Sequence, residues 1–417
     1  MRGRRHVWQR AGAALIGVAA VVAITASSTP AKTDGVTATS KQAATTITLA
    51  HWNSSAVELS ALRKTIAAFQ KAYPAIKVKE ISLDPYPEGM LARFAARKPP
   101  DIFYVDSSVF PDWVSQGVLE PIGDDLAKAK WSTKKFYPRL VAAFRYKGQL
   151  YGLPKDWSPL AMEMNTALTA KANVKPPQTW AQLKAAGQAL KAAGQPPICL
   201  PVELARILPF MFQNNGGILD KSGKKAIVNS AANAGAVATY LGWIQSGIAR
   251  TATQLGVGWC GEALGKEKAS IVFEGNWVTS FMNDTYPNVK WTTHPMVHNR
   301  ARGNLGFDVS WSIAKDSKNK AAALTMFKFL EGPVGMKVWT GNVGYLPSRT
   351  DVKPPPGRAP FLKEAPYARP WQFAPGFSKV IDTANSEFTA AFEGKTTVKA
   401  ALDSIQSAAE TALRRGR

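Results

Sequence analysis

The stretch TITLAHWNSSAVELSALRKTIAAFQKAYPAIKVKEI, residues 46–81, with DIFYVD, residues 101–106, carries the reading of the fold. Ile47 and Leu49 alternate with Thr46 and Thr48, the two-residue period of a short half-buried strand that runs into His51-Trp52-Asn53. Leu59, Leu62, Ile66, Phe69 and Tyr73 then recur at helical spacing along one face, and Pro74 stops them. Ile76-Lys77-Val78-Lys79 returns to extended structure. Ile102-Phe103-Tyr104-Val105 is apolar without a break, as suits a strand covered on both faces, and it ends at Asp106. Strand, helix, strand, helix and strand in close succession imply right-handed crossovers and a largely parallel sheet.

The same grammar continues along the chain. Trp180 to Ala193 reads as a helix, Ile198 to Val202 as extended, and Ala231 to Ser246 as a long Ala-rich helix. Ile271-Val272-Phe273 is another buried strand, closing on Glu274-Gly275-Asn276-Trp277. Val309, Trp311 and Ile313 alternate with Ser310 and Ser312. Ala321 to Leu330 is helical until Gly332-Pro333 interrupts it, Phe361 to Phe377 reads as an irregular proline-rich loop, and two amphipathic helices close the chain. The length of 417 residues accommodates two domains of ordinary size.

Before this body, Arg2, Arg4, Arg5 and Arg10 precede an apolar run from Ala11 to Ala26 and the small residues Ser27, Ser28 and Thr29. That order describes an export signal over residues 1–28, with an uncleaved anchor as the alternative. Residues 29–45 read as a flexible Thr/Ala/Ser/Lys-rich lead-in. No cysteine stands directly after the apolar run, so a lipid anchor there is not expected. The expected location is outside the cytoplasm, periplasmic or at the cell surface. A net charge of +23 is spread along the chain rather than gathered into runs, which argues against nucleic acid and fits attraction to an anionic envelope. The two cysteines, Cys199 and Cys260, either pair in an oxidising compartment or remain two buried thiols.

In open parallel sheets ligands lie beyond the carboxyl ends of the strands. That rule selects Trp52 and Asn53, Asp106 with Ser107 and Ser108, and Asn276 with Trp277. Aromatic faces beside carboxylates and amides suit a neutral polyol, which offers a ring to stack and hydroxyls to bond.

Ten segments, in order, carry a resemblance. They include TITLAHWN (46–53), PDIFYVDSSVFPDWVSQGVLEPI (100–122), YKGQLYGLPKDW (146–157), PPQTWAQL (176–183), GEALGKEKASIVFEGNW (261–277) and GYLPSR (344–349). The chain resembles the bacterial extracellular solute-binding proteins of family 1, the maltose-binding type. The resemblance implies a two-lobed α/β fold of the type II periplasmic-binding-protein kind. Each lobe would be a mostly parallel sheet flanked by helices, with the ligand cleft at the hinge. Residues 46–156 with 310–352 would form lobe 1, and 157–309 with 353–417 lobe 2. Position by position it implies ligand contact for Trp52, Asn53, Asp106, Ser107, Asp156, Trp157, Trp277, Asp308, Trp311, Tyr345 and Trp371, with Glu203 and Gln213 weaker candidates. It further implies a monomer that captures a carbohydrate, a glucoside or small oligosaccharide, and delivers it to a membrane ABC permease, with no cofactor.

Two other readings compete. An anionic or phosphorylated polyol would use Arg302, Arg349 or Arg369 as a clamp. A secreted glycoside-active enzyme would need a poised carboxylate pair, but no nucleophile-elbow, zinc-helix or phosphate-loop pattern is present. His294 and His298 are interrupted by Pro295 and make a poor metal pair. The expectation is a binding protein and not an enzyme.

Overall fold

The computed structural model describes residues 44–415. The export segment and nearly all of the lead-in therefore lie outside the described residues. In chain order the strands are β1 (Thr45–His51), β2 (Ile76–Ser82), β3 (Ile102–Asp106), β4 (Arg145–Tyr146), β5 (Gln149–Leu150), β6 (Gly152–Pro159), β7 (Ala161–Asn165), β8 (Ile198–Cys199), β9 (Ala249–Arg250), β10 (Ile271–Glu274), β11 (Trp291–His294), β12 (Asn304–Ile313) and β13 (Ala368–Pro370). One sheet runs β13-β12-β3-β1-β2 with β6 also paired to β12, the other runs β11-β7-β10-β8-β9, and β4–β5 is a small hairpin.

Each sheet is parallel on its outer half, β2-β1-β3 in one and β9-β8-β10 in the other. Antiparallel pairing enters where the chain changes lobes. Strand β6 runs out of the first lobe and β12 runs back into it, so the two must pair antiparallel, Phe307 opposite Ser158 and Val309 opposite Asp156. The register shifts at Val309/Ser310 because Lys155 is an extra residue on β6, a bulge. Sequence periodicity located the outer strands but carried no sign of this bulge.

The first helix, Ala56–Ala72, joins β1 to β2. The Ser55 side chain caps it by accepting the Glu58 N–H (3.2 Å), and the Glu58 carboxylate in turn accepts the Ser54 N–H (2.7 Å). The Gly332-Pro333 pair starts a new helix, Pro333–Val343, with proline at the first helical position, where it has no hydrogen bond to lose. The proline-rich segment holds more order than its composition implies: a helix at Ala359–Glu364, then β13. Strand β13 lies at a sheet edge, where Pro370 breaks no ladder.

Two large apolar cores result. One gathers Ile47, Leu49, Phe69, Phe103, Val105 and Leu153 with Ile313 and Phe327. The other gathers Leu160, Met162, Leu183, Ile198, Phe210 and Phe273 with Phe388 and Leu402. A third, small cluster surrounds Cys199 and Cys260, which are joined in a disulfide with their Cα atoms 5.6 Å apart.

Candidate ligand cleft

A cleft of about 440 Å³ opens on the front of the β6–β12 ribbon, between the two cores. Its floor is set by strand alternation. Asp156 and Ser158 on β6, and Phe307 and Val309 on β12, face into it. The bulge adds Lys155 beside Asp156, so two consecutive side chains reach the same face.

From the first lobe come Trp52 at the end of β1, Ser54, Ser55 and Glu58 at the helix start, Asp106 at the end of β3, and Tyr345. Trp52 is held edge-on by Tyr86 and Tyr104, both with ring centroids at 4.9 Å. Asp106 accepts from the Ser108 N–H (2.8 Å) and hydroxyl (2.5 Å), and burial still holds its carboxyl above the ordinary range. Burial raises Glu58 as well, against the opposing pull of Lys155.

The second lobe supplies Arg206, Trp259, Asn276, Trp277 and Phe281. Trp277 opens the helix Trp277–Thr285 directly after β10. Its indole N–H donates to Glu274 (3.1 Å), and its ring meets Phe307 edge-on at 5.5 Å. Arg206 donates to the same Glu274 (2.7 Å) and lies over the Trp277 and Phe307 rings. A Cβ on Gly275 would collide with the Trp277 indole, so the glycine lets that ring lie flat over the backbone. Asn276 ties the corner to the ribbon, its side chain donating to the Trp157 carbonyl (3.0 Å) and its N–H to the Ser158 hydroxyl (2.7 Å).

Both cations of the cleft are already engaged. Arg206 holds Glu274, and Lys155 holds Asp156 (2.6 Å) while lying against the Tyr104 and Trp339 rings at 4.5 and 4.4 Å. What remains toward the cavity is rich in carboxylate acceptors and aromatic surface.

Of the eleven residues that the sequence nominates, the structure brings Trp52, Asp106, Asp156, Trp277 and Tyr345 to the cleft. It places the other six elsewhere. Trp157 and Asp308 are directly opposite one another on the ribbon but point out of its back, because neighbours on a strand face opposite ways. Trp311 is buried against Tyr104, too far into the first lobe to reach the cavity. Ser107 is fully buried, its hydroxyl donating to the Trp371 carbonyl (2.9 Å). Trp371 itself packs in the second core behind Phe307. Asn53 is exposed and bonded to Ser82 (3.0 Å).

The weaker candidates serve structure: Gln213 accepts from the Trp180 indole (2.6 Å), and Glu203 caps no helix by its side chain but pairs with Arg206 (3.5 Å). Among residues the sequence reading passed over, Glu58 carried a signal. It sits three residues after a capping serine, at a helix start just beyond β1. Arg206, Trp259 and Phe281 carried none.

Two α/β lobes joined by a pair of crossing strands, with a polar, aromatic cleft at the crossing, define a solute-binding fold of the type II kind. The chain belongs to the bacterial extracellular solute-binding protein family, whose pattern matches residues 53–337. A binding protein of Brucella abortus is 24% identical over 335 residues, spanning 76% of this chain and 80% of its own. Among solved structures, the fold matches the ABC substrate-binding protein Lmo0181 of Listeria monocytogenes in complex with cycloalternan. The TM-score is 0.82 at 22% identity, covering 89% of this chain and 99% of that one. It also matches the GacH receptor of Streptomyces glaucescens, solved unliganded and with acarbose, at a TM-score of 0.79 and 21% identity, covering 89% and 100%. Maltose-bound MalE3 of T. maritima gives 0.78 and 21%, covering 88% and 100%.

Among the described residues no helix is long and apolar enough to cross a membrane, and no group of three or more His, Cys, Asp or Glu is arranged to hold a metal ion.

Proposed function

We propose that this protein captures a neutral carbohydrate between its lobes and hands it to a membrane ABC permease. One observation carries the reading. The cleft presents Trp52, Trp259 and Trp277 beside Glu58, Asp106 and Asp156, while its two cations are already paired, Lys155 with Asp156 and Arg206 with the buried Glu274. Sugar hydroxyls donate to such acceptors, and the apolar face of a pyranose lies on an indole. The solved relatives bound to cycloalternan, acarbose and maltose support the same ligand class.

The anionic alternative fares worse in this cleft. Arg302 pairs with Glu364 (2.6 Å), Arg349 with Asp351 (2.7 Å), and Arg369 lies over the Phe212 ring; none lines the cavity. An anion would meet more carboxylates than free cations there.

The finer parts of the reading belong here too. Residues 46–156 with 310–352, and 157–309 with 353–417, act as the two closing bodies, a division supported by the separate membership of the two cores. The protein works outside the cytoplasm as a monomer, behind a removable export signal, and turns over no glycoside.

Thermal shift and calorimetry across linear and cyclic glucans and glycerol 3-phosphate test the proposal. A neutral sugar should raise Tm and bind with an affinity nearly unchanged between 50 and 500 mM salt, values of about this size spanning the screening range. Binding of glycerol 3-phosphate alone, weakened by salt, would refute it.

A further inference from the structure

Arg206 lines the cleft, yet its surroundings do not favour a cation there. It stands in the first turn of the helix Leu204–Gln213, where the aligned peptide dipoles already place partial positive charge. Its side chain is only 13% exposed, and its Nε–H is sealed from solvent with no hydrogen-bond partner among the described residues. A cation held this way is costly unless a carboxylate sits against it. Two carboxylates do so. Glu203, at the surface, comes within 3.5 Å, and the buried Glu274 accepts an Arg206 N–H at 2.7 Å.

The same Glu274 oxygen, Oε2, also accepts the Trp277 indole N–H (3.1 Å). Glu274 therefore joins the cation of the second lobe to the aromatic platform at one atom, although it does not line the cavity itself. A third acid, Glu163 on the adjacent strand, accepts the Glu274 N–H (3.1 Å), but it cannot share the task. It is fully buried, and burial together with the nearby Glu274 holds its carboxyl well above the ordinary range.

We propose that Glu274 is a positioning residue that sets the cleft's preference for uncharged ligands, by cancelling the charge of Arg206 and holding the Trp277 indole. This role rests on the carbohydrate reading of the cleft and adds to it the residue that selects by charge. An approaching phosphate or carboxylate finds Arg206 already matched, and it must shed its own water beside Glu58, Asp106 and Asp156. Without the Glu274 charge, the guanidinium presents its planar fork to the cavity, matched only by the looser Glu203, and an anion can take up the contact. Lys155 differs, because its partner Asp156 faces the cavity, so freeing that cation also removes a cleft-lining group.

Glu274→Gln keeps an oxygen for both hydrogen bonds and removes the charge. In calorimetry on the full chain, this variant should bind glucose 6-phosphate at least tenfold more tightly than the parent does, a gain that fades between about 50 and 500 mM salt. Glu203→Gln, a surface change, should give a smaller gain of about threefold, and Glu274→Asp, which keeps the charge, none. Combining Arg206→Gln with Glu274→Gln should return glucose 6-phosphate to the parent's affinity, which a loosened Trp277 alone would not do. Circular dichroism checks that each variant folds, and Glu203→Gln carries the test if the buried substitution does not fold. Linear and cyclic glucans, titrated into the parent, keep the two readings apart. If the parent binds none of them, the carbohydrate reading fails and this role falls with it. If it binds one, the charge filter alone is overturned when neither glutamine variant gains affinity for glucose 6-phosphate, or when the gain persists without Arg206.

Discussion

Trp277 gathers several interactions at one point of the cleft. Its indole is fixed by Glu274, flanked by Arg206 and set edge-on to Phe307. Its six-membered ring covers Gly275, where any side chain would displace it. A residue held this firmly offers a sugar a preformed platform, with little ordering left to do on binding. Trp277→Ala should weaken carbohydrate binding by more than tenfold, about 1.4 kcal/mol or more, in isothermal titration. Gly275→Ala should weaken it too without removing any ligand-contacting atom, because the indole must tilt. An unchanged affinity in the first variant would remove Trp277 from the site.

Asp308 makes a separate statement about stability. Its folded pKa of about 8 lies far above the roughly 3.9 of an unfolded aspartate. The folded state therefore holds the proton more tightly, and stability that is complete below pH 4 declines as pH rises through 8. The slope contributed by this group approaches 1.4 kcal/mol per pH unit as an upper bound. Urea midpoints at pH 5 and pH 8 should differ less for Asp308→Asn than for the parent chain. An identical difference would mean that the carboxyl is not buried in solution.

At the scale of elements, the ribbon explains which residues could be read from sequence and which could not. The strand and helix periods around β1, β3 and β10 were legible because one face of each element is apolar, and the loops after them led to Trp52, Asp106 and Trp277. Asp156 with Trp157 could not both reach one cleft on a regular strand, and alternation assigns Trp157 to the back with Asp308. The Lys155 bulge left no trace in composition or period, because it answers to pairing with a strand about 150 residues later in the chain. The same holds for Arg206 and Phe281, whose place depends on how helices of the second lobe dock.

The disulfide is a further element-scale constraint. Cys199 ends β8, and Cys260 opens the helix Cys260–Gly265 immediately after the cleft residue Trp259. The bond closes a loop across 61 positions, a closure that stabilises by about 2–4 kcal/mol. Replacing both cysteines by alanine should lower Tm by several degrees and also weaken sugar binding, since Trp259 loses the anchor that holds it against Phe281 (4.8 Å). A lowered Tm with unaltered affinity would show that Trp259 is positioned by packing alone.

For the whole molecule, the proposed mechanism requires that the ligand bind both lobes and that only the closed form satisfy both sets of contacts. The first lobe offers Trp52, Glu58 and Asp106, and the second offers Trp259 and Trp277, on either side of a floor made by the ribbon. Among the described residues two extended segments, β6 and β12, cross that floor near the cleft, and in the proposed mechanism bending there would carry each core with its own lobe, a reading supported by the separate buried membership of the two cores. A ligand that gains contacts in the closed form shifts the population by that difference in affinity and by nothing else. Small-angle scattering should therefore show a smaller radius of gyration when the sugar found by thermal shift is added. Trp277→Ala should need far more sugar to reach the same compact form, because it removes a contact on one lobe while leaving the hinge intact. If saturating sugar leaves the scattering curve unchanged while calorimetry still records binding, capture occurs without lobe closure, and the permease must recognise something other than a closed shape.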